Sequence, residues 1–201
     1  MPSRREHRSR RVFLNVPFDK SYEPLFVALI SALVALGRMP HCVLELPERG
    51  RGRLVRILRL IRSCGVSIHD LSRVGQPARF NMPFELGIAV ALARLHGRHE
   101  FIMLEAQRHR LVQTLSDVNG IDPGIHGTKV SGVISCVLSH LGRPRGNPSV
   151  KEVTVIYRRL WRAMPQLKNN HGRESLYSRM IFHELVEGAI RLATAGSLVE
   201  P

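Results

Sequence analysis

Acidic residues are scarce in this sequence: 16 Asp and Glu stand against 30 Lys and Arg, for a net charge of +14. Such an imbalance favours anionic partners, because Lys and Arg gain affinity for phosphate by releasing counterions. Aromatic residues make up only 5% of the chain, with one Trp, and no interleaving of aromatic and basic residues forms a stacking platform. Nucleic acid therefore ranks behind a small anionic ligand. The three cysteines, Cys42, Cys64 and Cys136, are widely spaced in apolar runs. They make neither a disulfide framework nor a CxxC knuckle, and a reducing, cytoplasmic setting follows. Apolar runs are short as well. Leu25 to Leu36 covers about a dozen residues and is interrupted by Ser31, against the roughly 20 that span a bilayer, and Val12 to Val16 is too short for the core of an export signal. Neither membrane anchorage nor export is expected. Without Gly-rich phosphate signatures an ATPase or a Rossmann dehydrogenase is disfavoured, and without Cys/His ligand spacing no metal or resident cofactor is expected.

What is present reads as alternating strands and helices. Arg11 to Val16 is an apolar run closed by Pro17, as in a buried strand. Tyr22 to Leu36 carries apolar residues at helical spacing up to Gly37. His41 to Leu46 predicts a second strand and Leu54 to Ile61 a second helix, with Arg53, Arg56, Arg59 and Arg62 on its solvated side. Val66 to Asp70 predicts the third strand, Met82 to Leu95 the third helix with Pro83 in its first turn, and Phe101 to Leu104 the fourth strand. Val112 to Gly127 reads as a short helix and a short fifth strand, and Val130 to Leu141 as a closing helix. This alternation predicts an α/β, doubly wound and mostly parallel five-stranded sheet. The expected organisation is a basic flexible N-terminus over residues 1–10, an α/β nucleotide-binding domain over 11–142, and a helical C-terminal extension over 150–195. That extension is expected as two helices, Val150 to Trp161 and Ser175 to Ala193, broken by Pro165 and the polar Asn169 to Gly172.

Ligands in such sheets sit beyond the C-terminal strand ends. That rule points to Asn15, Phe18 and Asp19 after the first strand, with Glu45 nearby, and to Asp70, Ser72 and Arg73 after the third. Asn81 and Glu85 are four apart at a helix start and share a face. Glu85 lies among Met82, Phe84, Leu86 and Ile88, where desolvation raises a carboxylate's pKa and strengthens it as a nucleophile or base. Asp70, Asn81 and Glu85 are thus candidate catalytic residues, equipment suited to an oxocarbenium-like sugar. Asn81 as a helix cap and Glu85 as a first-turn acid is the structural alternative. Arg73 and Arg79 flank the segment, where an Arg fork suits a phosphate or pyrophosphate and equally suits a surface carboxylate. Asp117, Asp122 and His126 form a second polar cluster that could bind a metal or join the site, and whose Gly/Pro context also fits a hydrogen-bonded turn. His69 reads as an oriented structural histidine.

A strand ending in Asp, a loop, and then Asn81-Met-Pro-Phe-Glu85-Leu-Gly-Ile-Ala resembles the nucleoside 2-deoxyribosyltransferase family and the related bacterial TIR-like domains. The strings Phe13-Leu-Asn-Val-Pro-Phe-Asp19, Ile68-His-Asp-Leu-Ser-Arg73, Arg79-Phe-Asn-Met-Pro-Phe-Glu-Leu-Gly87 and Ser116-Asp-Val-Asn-Gly-Ile-Asp122 resemble, more closely, a group of bacterial proteins of similar length. The resemblance implies a flavodoxin-like sheet, Glu85 as the catalytic carboxylate, and Asp70 and Asn81 placing the sugar. The Asp-Gly usual in the transferase loop is replaced here by Arg79-Phe-Asn81, which turns the expectation from deoxyribosyl transfer toward N-glycosidic cleavage of a nucleotide or NAD, as in a toxin or antiphage effector. A non-catalytic nucleotide-binding module stands beside it, recruiting a protein partner, or a second copy of itself, through the helical tail.

Overall fold

The structure, a computed structural model, describes all residues except 1–3, 47–51, 74–79, 98, 112–114, 116, 118–119, 145, 173–174 and 197–201. Five strands, β1 (Arg11–Asn15), β2 (Met39–Cys42), β3 (Val66–Asp70), β4 (Glu100–Glu105) and β5 (Gly124–Ile125), form one parallel sheet in the order β2-β1-β3-β4-β5. This is the doubly wound order expected from sequence, in which the strand order reverses between β1 and β3 and opens a crevice there. Every residue of β3 is buried, as befits a central strand. No helix among the described residues is long and apolar enough to cross a membrane.

The helices are α1 (Arg4–Arg10), α2 (Glu23–Ala35), α3 (Arg53–Ser63), α4 (Asn81–His96), α5 (Val130–Leu141), α6 (Val150–Asn170) and α7 (Arg179–Ala195). The chain clusters into two compact units, one made of residues 1–17 and 41–128 and the other of 18–40 and 129–201. This cut differs from the 11–142 and 150–195 division expected from sequence. The apolar helix α2 and the closing helix α5 group with α6 and α7, because α2 is buried from Leu25 to Ala35 and offers apolar surface to all three.

In the sheet unit, Phe13 of β1 packs with Ile57 and Ile61 of α3 and with Ile88 and Leu92 of α4. Leu71 and Met103 pack with Met82 and Leu86 of α4. Alternation along the strands follows: Phe13, Asn15, Ser67, His69 and Met103 face α3 and α4, while Leu14, Ile68 and Asp70 face the other way. Strand β2 is shorter than the expected His41 to Leu46. Glu45 accepts the Cys42 N–H at 3.0 Å and the His41 ring at 3.0 Å, which winds Val43–Glu45 into a 3₁₀ turn.

Where the sequence predicts a flexible N-terminus, Arg4–Arg10 is helical. It is tied down because the Gly65 N–H donates to the Arg8 carbonyl at 2.8 Å and Arg8 Nε donates to the Cys64 carbonyl at 3.2 Å. In the helical unit, Ser149 and Glu152 form a capping box that starts α6. The break falls at the polar Asn169–Gly172 segment and not at Pro165: α6 runs through the proline to Asn170. Met164 stays buried just before the proline, and Lys168 after it pairs with Glu23 at 2.9 Å, which together offset the lost backbone hydrogen bond. Phe18, Phe26, Tyr177 and Phe182 form an aromatic cluster, and Tyr177 Oη donates to the Asp19 carbonyl at 2.7 Å.

Gly65 has no room for a side chain, since a Cβ there would stand 2.8 Å from the Arg8 carbonyl oxygen and 2.9 Å from Ser9 Cα. Both are backbone atoms, so α1 must shift to admit a methyl group. Gly65→Ala is expected to lower unfolding stability by about 1–3 kcal/mol, read as a reduced urea midpoint with unchanged slope.

Candidate functional site

The crevice between β1 and β3 is organised by a buried hydrogen-bond chain. His99 Nδ1 lies 3.1 Å from the Cys64 carbonyl, which can only accept, so Nδ1 carries the proton and Nε2 is an acceptor. Ser67 Oγ, 2.9 Å from that Nε2, therefore donates to it and accepts from His69 Nε2 at 2.8 Å. His69 Nδ1 is left to accept from Asn15 Nδ2 at 2.9 Å, and the same amide nitrogen donates to the Met82 carbonyl at 2.8 Å. Both rings are neutral in this arrangement. Burial, aided by His99, lowers His69 from 6.5 to about 3, and burial lowers His99 as well. The chain ends on the first turn of α4 and so fixes where that helix begins over the crevice.

Three residues along α4 from Met82 is Glu85, which is 5% exposed. It makes no hydrogen bond to a described residue. Burial raises its carboxyl from 4.5 to about 7, and the guanidinium of Arg53, the first residue of α3, pulls it part of the way back. A cation in the first turn opposes a helix macrodipole, so Arg53 is locally misplaced for α3 and well placed for Glu85. Asn81 is exposed at the first position of α4, with Phe80 rather than Asn81 as the capping residue. Phe80 and Phe84, 79% and 55% exposed, share the neighbouring stripe of the same helix.

Asp70 has a different environment. Its Oδ1 accepts the Ser72 N–H at 2.9 Å and the Ser72 hydroxyl, and its Oδ2 lies 3.1 Å from His126 Nε2. Because the Thr128 N–H donates to His126 Nδ1 at 3.1 Å, Nε2 carries the ring proton and shares it between Asp70 and Ser72 Oγ, the latter at 2.8 Å. The residue types are those of a nucleophilic triad, but the topology is not. In a triad the carboxylate and hydroxyl take opposite ring nitrogens, whereas here both meet Nε2 and the serine proton goes to the carboxylate. The cluster is a buried structural knot. Next to it, Glu105 at the end of β4 accepts the N–H of Ala106 at 2.6 Å and the guanidinium of Arg110, which also donates to the Ser72 carbonyl.

The expected trio is therefore not one site. Asp70 faces away from α4 by strand alternation and joins Ser72 and His126. Glu85 stays with the α3- and α4-facing side, its charged neighbour being Arg53. Asn15 reaches α4 through the Met82 carbonyl, while Phe18 and Asp19 are engaged in the helical unit. Glu45 caps its own turn. Arg73 is half-buried, Asp117 and Asp122 are exposed, and Arg79 lies outside the described residues. No group of three or more His, Cys, Asp or Glu among the described residues is arranged to hold a metal. Helical spacing places Arg53 on the solvated stripe of α3, and its first-turn position is the available signal for its role beside Glu85. Glu105 and Arg110 carried none, because their pairing depends on a loop. The chain matches no family model, no curated protein and no solved structure.

The pKa shifts define opposing pH dependences. His69 is lowered, so its contribution is intact above pH 6.5 and is lost as pH falls from about 6.5 to about 3, at about 1.4 kcal/mol per unit. Glu85 is raised, so the folded state loses stability as pH rises from about 4.5 to about 7. In the wild-type protein the two slopes oppose each other between pH 4.5 and 6.5. Glu85→Gln is expected to expose the histidine slope there and to be the more stable protein at pH 8, by up to about 3 kcal/mol, in urea unfolding followed by circular dichroism. Superimposable pH profiles for the two proteins would contradict this assignment. Ser67→Ala, which leaves His69 Nε2 and His99 Nε2 without their partner, is expected to cost about 1–3 kcal/mol.

Proposed function

We propose that the protein binds a nucleotide or a dinucleotide such as NAD at the crevice beyond β1 and β3 and cleaves its N-glycosidic bond through Glu85. The observation that carries this reading is a buried carboxylate with a pKa near 7, without a hydrogen bond to any described residue, at the start of the helix that follows the central strand. Such a group is half ionised at neutral pH and is a stronger nucleophile or base than a solvated carboxylate. In the reaction the bond between C1′ and the base nitrogen breaks and its electron pair leaves with the base. The Glu85 carboxylate attacks or stabilises the oxocarbenium-like sugar, and water supplies the oxygen that completes hydrolysis. Arg53 offers a cation for the phosphate, and the exposed faces of Phe80 and Phe84 offer stacking surface for a base. The resemblance to the deoxyribosyltransferase and TIR-like families supports the same carboxylate. In this reading Asp70 positions the loop after β3 and does not touch the sugar. The cysteines form no disulfide among the described residues, which fits a cytoplasmic setting, and the stacked Tyr157 and Trp161 on α6 give the helical unit a surface for a protein partner or a second copy.

A non-catalytic binding module is the second reading, favoured by the absence of a second carboxylate beside Glu85 among the described residues. Incubating wild-type protein and Glu85→Gln with NAD, nucleotides and deoxynucleotides, and following free base by chromatography with mass spectrometry, separates the two. Glycosidic cleavage predicts base release by wild type alone, loss of at least about a hundredfold in the variant, and a rate that rises with pH through about 7 as Glu85 ionises. A ligand retained intact by both proteins would sink the enzyme reading and establish the module.

A further inference from the structure

Beyond the ends of β4 and β5, in the sheet unit, lies a cavity of about 510 Å³ that the reading above does not use. Its size is that of a small-molecule site. Leu111, Leu115, Ile121 and Ile125 give it an apolar floor, and Gln107, Arg108, His109 and Asp122 give it a polar rim. Arg108 and His109 are exposed and make no hydrogen bond or ion pair with a described residue. The rim is held in shape from beneath. The buried Glu105 carboxylate gathers the N–H groups of Ala106 and Gln107 and the Arg110 guanidinium, and Arg110 is anchored in turn on the Ser72 carbonyl. His109 is held at φ 64°, a left-handed conformation unusual for a residue with a side chain. A loop fixed by a buried ion pair, strained at its tip, and ending in two basic side chains without a partner among the described residues, over an apolar hollow, is a preorganised receptor for an anion.

We propose that this cavity is a second ligand site, distinct from Glu85, for a nucleoside monophosphate. The apolar floor takes the flat base, Arg108 and His109 take the phosphate, and Asp122 across the rim accepts hydrogen bonds from the sugar hydroxyls. The site does not depend on glycosidic cleavage, and its failure is separable from failure at Glu85. Leu111 belongs to the floor and also to the core cluster with Met82 and Leu86 of α4, so occupancy of the cavity abuts the helix that carries Glu85.

The test is calorimetric titration of the full chain with AMP, adenosine and inorganic phosphate as separate probes. AMP is expected to bind, with adenosine and phosphate each at least about tenfold weaker because each fills half of the site. Arg108→Glu, a surface change that leaves packing untouched, is expected to weaken AMP by about tenfold to a hundredfold. Leu115→Trp, which fills the cavity, is expected to abolish binding at this site, and Glu85→Gln to leave binding at this site unchanged. The proposal is overturned if AMP does not bind at millimolar concentration, if Arg108→Glu binds it as wild type does, or if Glu85→Gln loses it.

Discussion

The buried hydrogen-bond chain from the Cys64 carbonyl to the Met82 carbonyl is the constraint on which the sheet unit depends. It starts below the first residue of β3, crosses the α4-facing side of that strand through Ser67 and His69, and leaves β1 through Asn15 for the first turn of α4. Each link is a neutral polar pair in a site where an unmet donor or acceptor would be costly. Hydrophobic contacts between α4 and the sheet tolerate small slides, because dispersion is weakly directional. A hydrogen bond of 2.8 Å does not, and so the beginning of α4 is set by polar chemistry in the middle of an apolar core.

The two carboxylates that flank this chain show how far environment separates groups of the same kind. Asp70 accepts from Ser72 and lies against a histidine proton, and is wholly satisfied behind the sheet. Glu85 is as deeply placed but is given only a neighbouring guanidinium and no hydrogen bond from a described residue. Stability alone would not retain such a group, since a buried carboxyl without partners costs free energy that Gln or Leu would not. Glu105 supplies the third case: an acid converted into a bracket that shapes a loop. Three carboxylates at strand or helix ends of one sheet thus serve as a knot, a reactive group and a brace.

Much of this fold was legible. The bounds of β3 and α5 follow from the spacing of their apolar residues, Val66 and Ile68 before Asp70 and Val130 to Leu141 before Gly142, and the parallel doubly wound sheet follows from alternation of strands and helices. The burial of Glu85 was written in its apolar neighbours. Less legible was the side of the sheet on which Asp70 falls. Strand parity puts it with Ile68 and opposite His69, but which side carries α4 is a tertiary fact. The partnership of Asp70 with His126 joins residues far apart in sequence, and no local pattern announces it. Pro165 misled for the converse reason: its local cost is real, and the burial of Met164 and the pairing of Lys168 with Glu23 that hold the helix on either side of it involve partners remote in the chain.

The two ends of the hydrogen-bond chain are both carbonyls, and that symmetry imposes an accounting of protons. A line of single donors and acceptors that begins on one acceptor must finish on a donor. To finish on a second acceptor it needs one member that gives in both directions without taking. Histidine rings and serine, being neutral here, pass one proton along and cannot play that part, whereas the amide nitrogen of Asn15 holds two. Asp would present oxygens to two lone pairs, Ser or Thr would leave one end open, and Gln would be a methylene too long. Position 15 therefore admits one amino acid for a reason of parity rather than of size or polarity, and a single-position saturation library selected for folding should recover that residue almost alone.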